Sequence, residues 1–310
     1  MIYLPIAELS VNIYFLLLLG GLVGLASGIF GVGGGFLMTP ALIFLGIPAP
    51  VAVASGLNQI LASSVAAVIP QYQRNQVDLQ MGVILLSGGM VGSLIGIWIF
   101  NWMQALGQID LFVRLCYIMF LSSIGFLMMK ESLMALRYQQ ARLKGEKPVH
   151  KVTRFGWRGV NHKLPLRMRF RKSNLYISII PPLFIGFLIG ILTAIMGVGG
   201  GFILIPAMIY ILGMPTRIVV GTSLFQIIFV AAFATLMQAF FNNTVDIVLS
   251  LILIIGGVIG AQIGSHYGPK FRGENLRLLF SLLVMLIGII LLISLIIPPD
   301  DFYEIHPVVS

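Results

Sequence analysis

Apolar residues run along this chain in unbroken blocks, with polar positions gathered between them. The blocks cover 11–30, 36–47, 49–73, 79–101 and 111–129, then 175–195, 202–213, 217–241, 246–267 and 276–297. Most reach about 20 residues, the length an α-helix needs to cross a bilayer. Such continuity excludes a transmembrane β-barrel, whose strands alternate apolar and polar positions. Turn chemistry separates the blocks at Gly46-Ile47-Pro48-Ala49-Pro50, Gly213-Met214-Pro215, Asn242-Asn243 and Gly268-Pro269. The pattern predicts an all-α polytopic membrane protein.

The pattern also repeats. GVGGGFLMTP, Gly31 to Pro40, returns as GVGGGFILIP, Gly197 to Pro206. Ala54-Ser55-Gly56-Leu57-Asn58-Gln59 then aligns with Gly221-Thr222-Ser223-Leu224-Phe225-Gln226, and Asn75-Gln76-Val77-Asp78 with Asn242-Asn243-Thr244-Val245-Asp246. Gly88, Gly89, Gly92 and Gly96 fall on Gly256, Gly257, Gly260 and Gly264. Ordered blocks over this length mark an internal duplication. The expected organisation is a membrane repeat at 1–133, a basic loop at 134–174 and a second membrane repeat at 175–310.

Composition sharpens the class. Of 310 residues, 58% are hydrophobic and 9% charged, against about 25% charged in a soluble domain. No Lys or Arg precedes Arg74, so the first apolar block lacks a signal-peptide n-region and reads as a first transmembrane helix. The net charge of +9 is local, because 12 of the 19 Lys and Arg lie between Arg137 and Lys172. Basic loops stay cytoplasmic, and contact with anionic membrane lipid is the expected partner role. Nucleic acid is not indicated. Five apolar blocks on each side of this loop place both termini outside. An odd-numbered repeat then crosses in opposite senses, making two inverted five-span repeats, an architecture of secondary transporters.

The glycine clusters acquire a purpose from the helices after them. Phe36–Ile47 would rise only about 18 Å, against a hydrocarbon core of about 30 Å. Its start therefore falls inside the membrane, as does that of Phe202–Leu212. The expectation is a broken, half-length helix at each GVGGG. Free N–H groups and the positive helix end there suit an anion, and unpaired backbone is tolerated only inside protein or a polar cavity. The competing reading is close helix packing. A nucleotide loop is excluded, since no β-strand precedes either cluster and no Lys-Ser/Thr pair follows it.

Candidate backbone contacts are Gly33, Gly34 and Gly35 with Gly199, Gly200 and Gly201. Candidate side chains are Ser55, Asn58 and Gln59 on one repeat and Thr222, Ser223 and Gln226 on the other. Ser55 and Gln59 share a helix face, as do Thr222 and Gln226. The alternative is interhelical hydrogen bonding, or a helix hydroxyl bonding its own backbone. The Gly88 series and its twin read as packing ridges. Arg74, Asp78, Arg217, Asp246 and His266 read as interfacial, Arg114 as snorkelling and Cys116 as a buried structural thiol. No metal set, cofactor motif or catalytic cluster is visible, so no enzyme is expected. Missing membrane carboxylates argue against a cation exchanger.

Duplicated GVGGGF-x₃-P blocks, each followed by [AG]-[ST]-[GS]-L-x-Q and a GGxxGxxxG helix, resemble the TauE/SafE-type sulfite exporters, the sulfonate/sulfite permease (TSUP) group. The resemblance covers both membrane halves. It implies a permease of the prokaryotic plasma (inner) membrane for sulfite, sulfoacetate, other organosulfonates or thiosulfate, with proton coupling through the substrate or an interfacial group. Phe225 stands opposite Asn58, which implies an asymmetric site. An anion channel, or a membrane scaffold acting through its basic loop, stays open beside the carrier.

Overall fold

The computed structural model describes residues 2–31, 33–143, 165–268 and 273–296. A hairpin of β1 (Ile2–Leu4) and β2 (Leu9–Val11) leads into α1 (Ile13–Phe30), α2 (Gly35–Phe44), α3 (Ala49–Gln73), α4 (Leu79–Ala105) and α5 (Ile109–Leu143). A second hairpin, β3 (Arg167–Phe170) and β4 (Leu175–Ser178), leads into α6 (Ile180–Met196), α7 (Gly201–Tyr210), α8 (Thr216–Asn242), α9 (Ile247–Tyr267) and α10 (Gly273–Ile296). Each apolar block supplies a helix, in the expected order. Among the described residues six helices are long and apolar enough to span: α1, α3, α4, α5 through Lys130, α8 and α9.

Two features depart from the all-α expectation. Each set of helices begins with an antiparallel hairpin, and residues 175–178 are strand rather than helix because Pro181 and Pro182 set the first turn of α6. Helix α5 continues to Leu143, into the segment read as a loop. Phe155 and Trp157, Lys270 and Arg272, and the acidic residues Asp300, Asp301 and Glu304 lie outside the described residues.

The glycine ridges do pack helices. Helix α1 lies along α9 and α6 along α4, so the first helix of each repeat rests on the fourth helix of the other. A Cβ on Gly24 would strike the Gly257 backbone, and one on Gly190 would strike Gly89. Gly92 and Gly260 meet the backbones of Phe187 and Gly21 in the same way. Without side chains between them the helices touch main chain to main chain, the favoured contact in lipid. Helices α3 and α8 pack on one another and are the most enclosed spans, while α5, paired with α10, is the least.

Asp78 and Asp246, read as interfacial, are buried at the N-caps of α4 and α9. Asp78 Oδ1 accepts from Met81 N–H at 3.2 Å, and Asp246 Oδ1 from Leu249 N–H at 3.0 Å. Their second oxygens accept from the hairpins: Asp246 from Ile6 N–H at 3.0 Å, Asp78 from Ser173 N–H at 3.1 Å and from the Ser173 hydroxyl. Each repeat's hairpin thus ties the other repeat's capping aspartate. A buried carboxylate is tolerable only with several such donors.

Candidate functional site

Helix α1 ends at Gly31, whose φ of 71° is left-handed, and α2 begins at Gly35 behind Gly34 at 73°. Helix α6 ends at Gly197, φ 69°, and α7 begins at Gly201 behind Gly200 at 70°. Left-handed turns end the first helix and start the next one four residues later, a path that a Cβ would strain. Helices α2 and α7 have ten residues each, about 15 Å of rise. The first N–H groups of such helices lack intrahelical acceptors.

Both glycine turns meet the same two side chains. A Cβ on Gly33 would lie 3.2 Å from Ile60 and 3.4 Å from Ile227; on Gly199 it would lie 2.9 and 3.1 Å from them. Gly35 also backs onto the Val198 carbonyl. The rings of Phe36 and Phe202, which follow the clusters, have centroids 6.1 Å apart. The Tyr117 hydroxyl, fully buried on α5, donates to Met196 O at 2.7 Å and reaches Gly35 O at 3.4 Å. The two turns therefore converge on one region, walled by α3, α8 and α5.

Next to Ile60 and Ile227 stand Gln59 and Gln226. Both are fully buried, and neither the amide nitrogen nor the amide oxygen of either has a hydrogen-bond partner among the described residues. The repeat places them alike: a Cβ on Gly257 would lie 2.6 Å from Gln59 Nε2, and one on Gly89 2.9 Å from Gln226 Nε2. Four unpaired amide atoms cost several kcal/mol in order of magnitude if left dry, so these groups call for water or a ligand. Ser27 adds a fifth orphan. Its hydroxyl is buried without a partner among the described residues, and its Cβ lies 3.3 Å from the Cβ position of Gly34. The twin, Thr193, flanks Gly200 but donates to Ile189 O at 2.8 Å. Sequence reading missed Ser27 because an isolated serine in LASGIF resembles any small packing residue.

The other side-chain candidates are hydrogen-bonded within the protein. Ser55 Oγ accepts from Asp246 N–H at 3.1 Å, and Thr222 Oγ1 from Asp78 N–H at 3.0 Å while donating to Ile218 O. Asn58 Nδ2 donates to Ser250 Oγ at 3.3 Å, whereas its counterpart Phe225 packs on Gly82 and Phe229. Ser223 shares its hydroxyl hydrogen between Gly31 O at 3.1 Å and Val220 O at 2.9 Å.

Six apolar helices of spanning length make this a multi-pass membrane protein. The model of the family described as sulfite exporter TauE/SafE matches residues 16–291, and the chain belongs to that family. It is 27% identical over 274 residues to a "Probable membrane transporter protein" of Xylella fastidiosa (strain 9a5c), covering 87% of this chain and 91% of that one. It is 24% identical over 283 residues to "Probable membrane transporter protein YunE" of Bacillus subtilis (strain 168), covering 88% and 94%. No solved structure matches the chain.

Proposed function

We propose that the chain is a secondary transporter of small sulfur-containing anions such as sulfite, sulfoacetate or other organosulfonates, bound between two inverted repeats. The reading is carried by two glycine turns meeting at Ile60 and Ile227, each preceded in its helix by a glutamine, Gln59 or Gln226, with an orphaned amide. Backbone N–H groups at Gly33–Gly35 and Gly199–Gly201 donate to the anion, and the helix ends add positive potential without a fixed cation. Gln59, Gln226 and the Ser27 hydroxyl supply side-chain contacts. Ser55 and Thr222, one turn before the glutamines, hold the capping aspartates of the opposite repeat and transmit movement rather than touch substrate. The family's description names sulfite, a compact oxyanion of the size and charge such a site accepts.

The test is flux into proteoliposomes of purified protein, offering sulfite, sulfoacetate, thiosulfate, taurine and chloride. Saturable movement of the sulfur anions, with chloride slower, is expected. Movement of none of them would end the proposal. Bilayer currents far above carrier turnover would replace the carrier with a channel using the same site.

A further inference from the structure

Each glycine turn joins two helix ends of opposite sign. The N-termini of α2 and α7 bring N–H groups and positive potential, but the C-termini of α1 and α6 bring carbonyls and negative potential to the same place. Discontinuous helices hold cations through such carbonyls as readily as anions through N–H groups. A turn of this kind has no sign of its own, so something else has to choose it.

The carbonyls at these C-termini are met by donors from other helices. Gly31 O accepts from Ser223 on α8 at 3.1 Å, Met196 O from Tyr117 on α5 at 2.7 Å, and Ala194 O from Gln238 Nε2 on α8 at 3.3 Å. Backbone takes two more: Ser27 O accepts from Gly31 N–H at 2.8 Å and Thr193 O from Gly197 N–H at 2.9 Å. Tyr117, Ser223 and Gln238 are all buried. Carbonyl oxygens of both turns are thus covered, while the amides of Gln59 and Gln226 keep no hydrogen-bond partner among the described residues.

We infer that Tyr117 and Ser223 set the site's preference for anions by covering the helix-end carbonyls, leaving the N–H groups to face the ligand. They are positioning residues that act through the backbone. The inference rests on the transport reading above and adds to it the groups that choose the sign of the ion. Tyr117 has a second effect, since its hydroxyl spans from Met196 on one turn to Gly35 on the other and holds the two in register. The duplication does not predict either cap. The repeat counterpart of Ser223 is Gly56, which has no hydroxyl, and Tyr117 serves the second turn from the first repeat's α5.

The experiment uses full-length protein in proteoliposomes with sulfite and isethionate as probes, in sodium and in N-methylglucamine buffers. Tyr117→Phe and Ser223→Ala should each raise KM for sulfite about tenfold, the worth of a lost hydrogen bond near charge, with a smaller change in maximal rate. Uncovered carbonyls should also make that KM depend on sodium, whereas the wild-type KM should not. Ser223→Thr restores the hydroxyl and should recover wild-type KM; Tyr14→Phe, on an exposed ring, serves as a neutral control. Wild-type flux with unchanged KM and no sodium dependence in Ser223→Ala overturns the inference alone, even if Tyr117→Phe fails to fold. Absence of wild-type flux with both probes overturns the transport reading and this inference with it.

Discussion

Gln59 and Gln226 separate stability from function at the scale of single residues. Neither amide has a hydrogen-bond partner among the described residues, yet both are fully buried. Replacing either by Met keeps the length and removes an orphaned polar group, so the folded state should lose nothing and can gain. Transport should behave oppositely. Gln59→Met and Gln226→Met are expected to lower sulfite flux about tenfold or more, because a hydrogen bond to a charged partner is worth about 1.5–3 kcal/mol. Melting temperature in detergent, measured beside flux, checks both signs. A drop in melting temperature with unchanged flux would show two structural glutamines. The repeated glutamines were legible as a pair in the sequence; their lack of partners was not, because that depends on what α4 and α9 place opposite them. Glycine at positions 89 and 257 makes room for each amide and brings no side-chain partner to it.

Helices locate the glycine turns, and here pattern reading succeeded for a physical reason. Apolar length, Pro and Gly are local properties, and they marked the ten helices of the described chain. The hairpins β1–β2 and β3–β4 escaped because three- and four-residue strands have no length over which alternation shows. The burial of Asp78 and Asp246 escaped the sequence reading because their partners, Ser173 and Ile6, come from distant segments. The crossing of α1 on α9 and α6 on α4 makes a prediction at this scale. Gly24→Ala and Gly190→Ala put a methyl against a facing helix backbone in equivalent places. Each should cost about 1–3 kcal/mol of stability, typical of overpacking. Similar falls in melting temperature are expected. A large fall for one and none for the other would show that the two crossings are not equivalent.

For the whole molecule, the duplicated halves exchange contacts rather than fold side by side. Helix α1 rests on α9, α6 rests on α4, and each hairpin binds the other half's aspartate. Such interlocking means that a half expressed alone would expose its glycine ridges. It also suits a carrier in which one set of helices rocks against another, with Ser55–Asp246–Ile6 and Thr222–Asp78–Ser173 as matching links. Residues 144–164 of the basic segment lie outside the described residues. Excising residues 144–164, with a short Gly/Ser linker in their place, should leave sulfite flux within about twofold, since flexible linkers tolerate length changes at little cost. Loss of flux with normal membrane insertion would give that segment a role in transport. The inverted arrangement is tested with the same preparations: tags at both termini should be open to protease in intact cells, and a tag in the basic segment protected.

Much was decided by the sequence alone. Uninterrupted apolar length set the membrane class, the ordered repeat revealed the duplication, and three glycines before a short helix marked the turns. These are properties of neighbours in the chain, and they read directly from one strip of sequence. Tertiary structure decided which polar groups are open. Ser55, Thr222 and Ser223 look like Gln59 and Gln226 in the sequence, yet the first three find partners 144 to 192 residues away and the glutamines find none. Hydrogen-bond satisfaction is a property of the folded interior, where water no longer supplies a partner for every group.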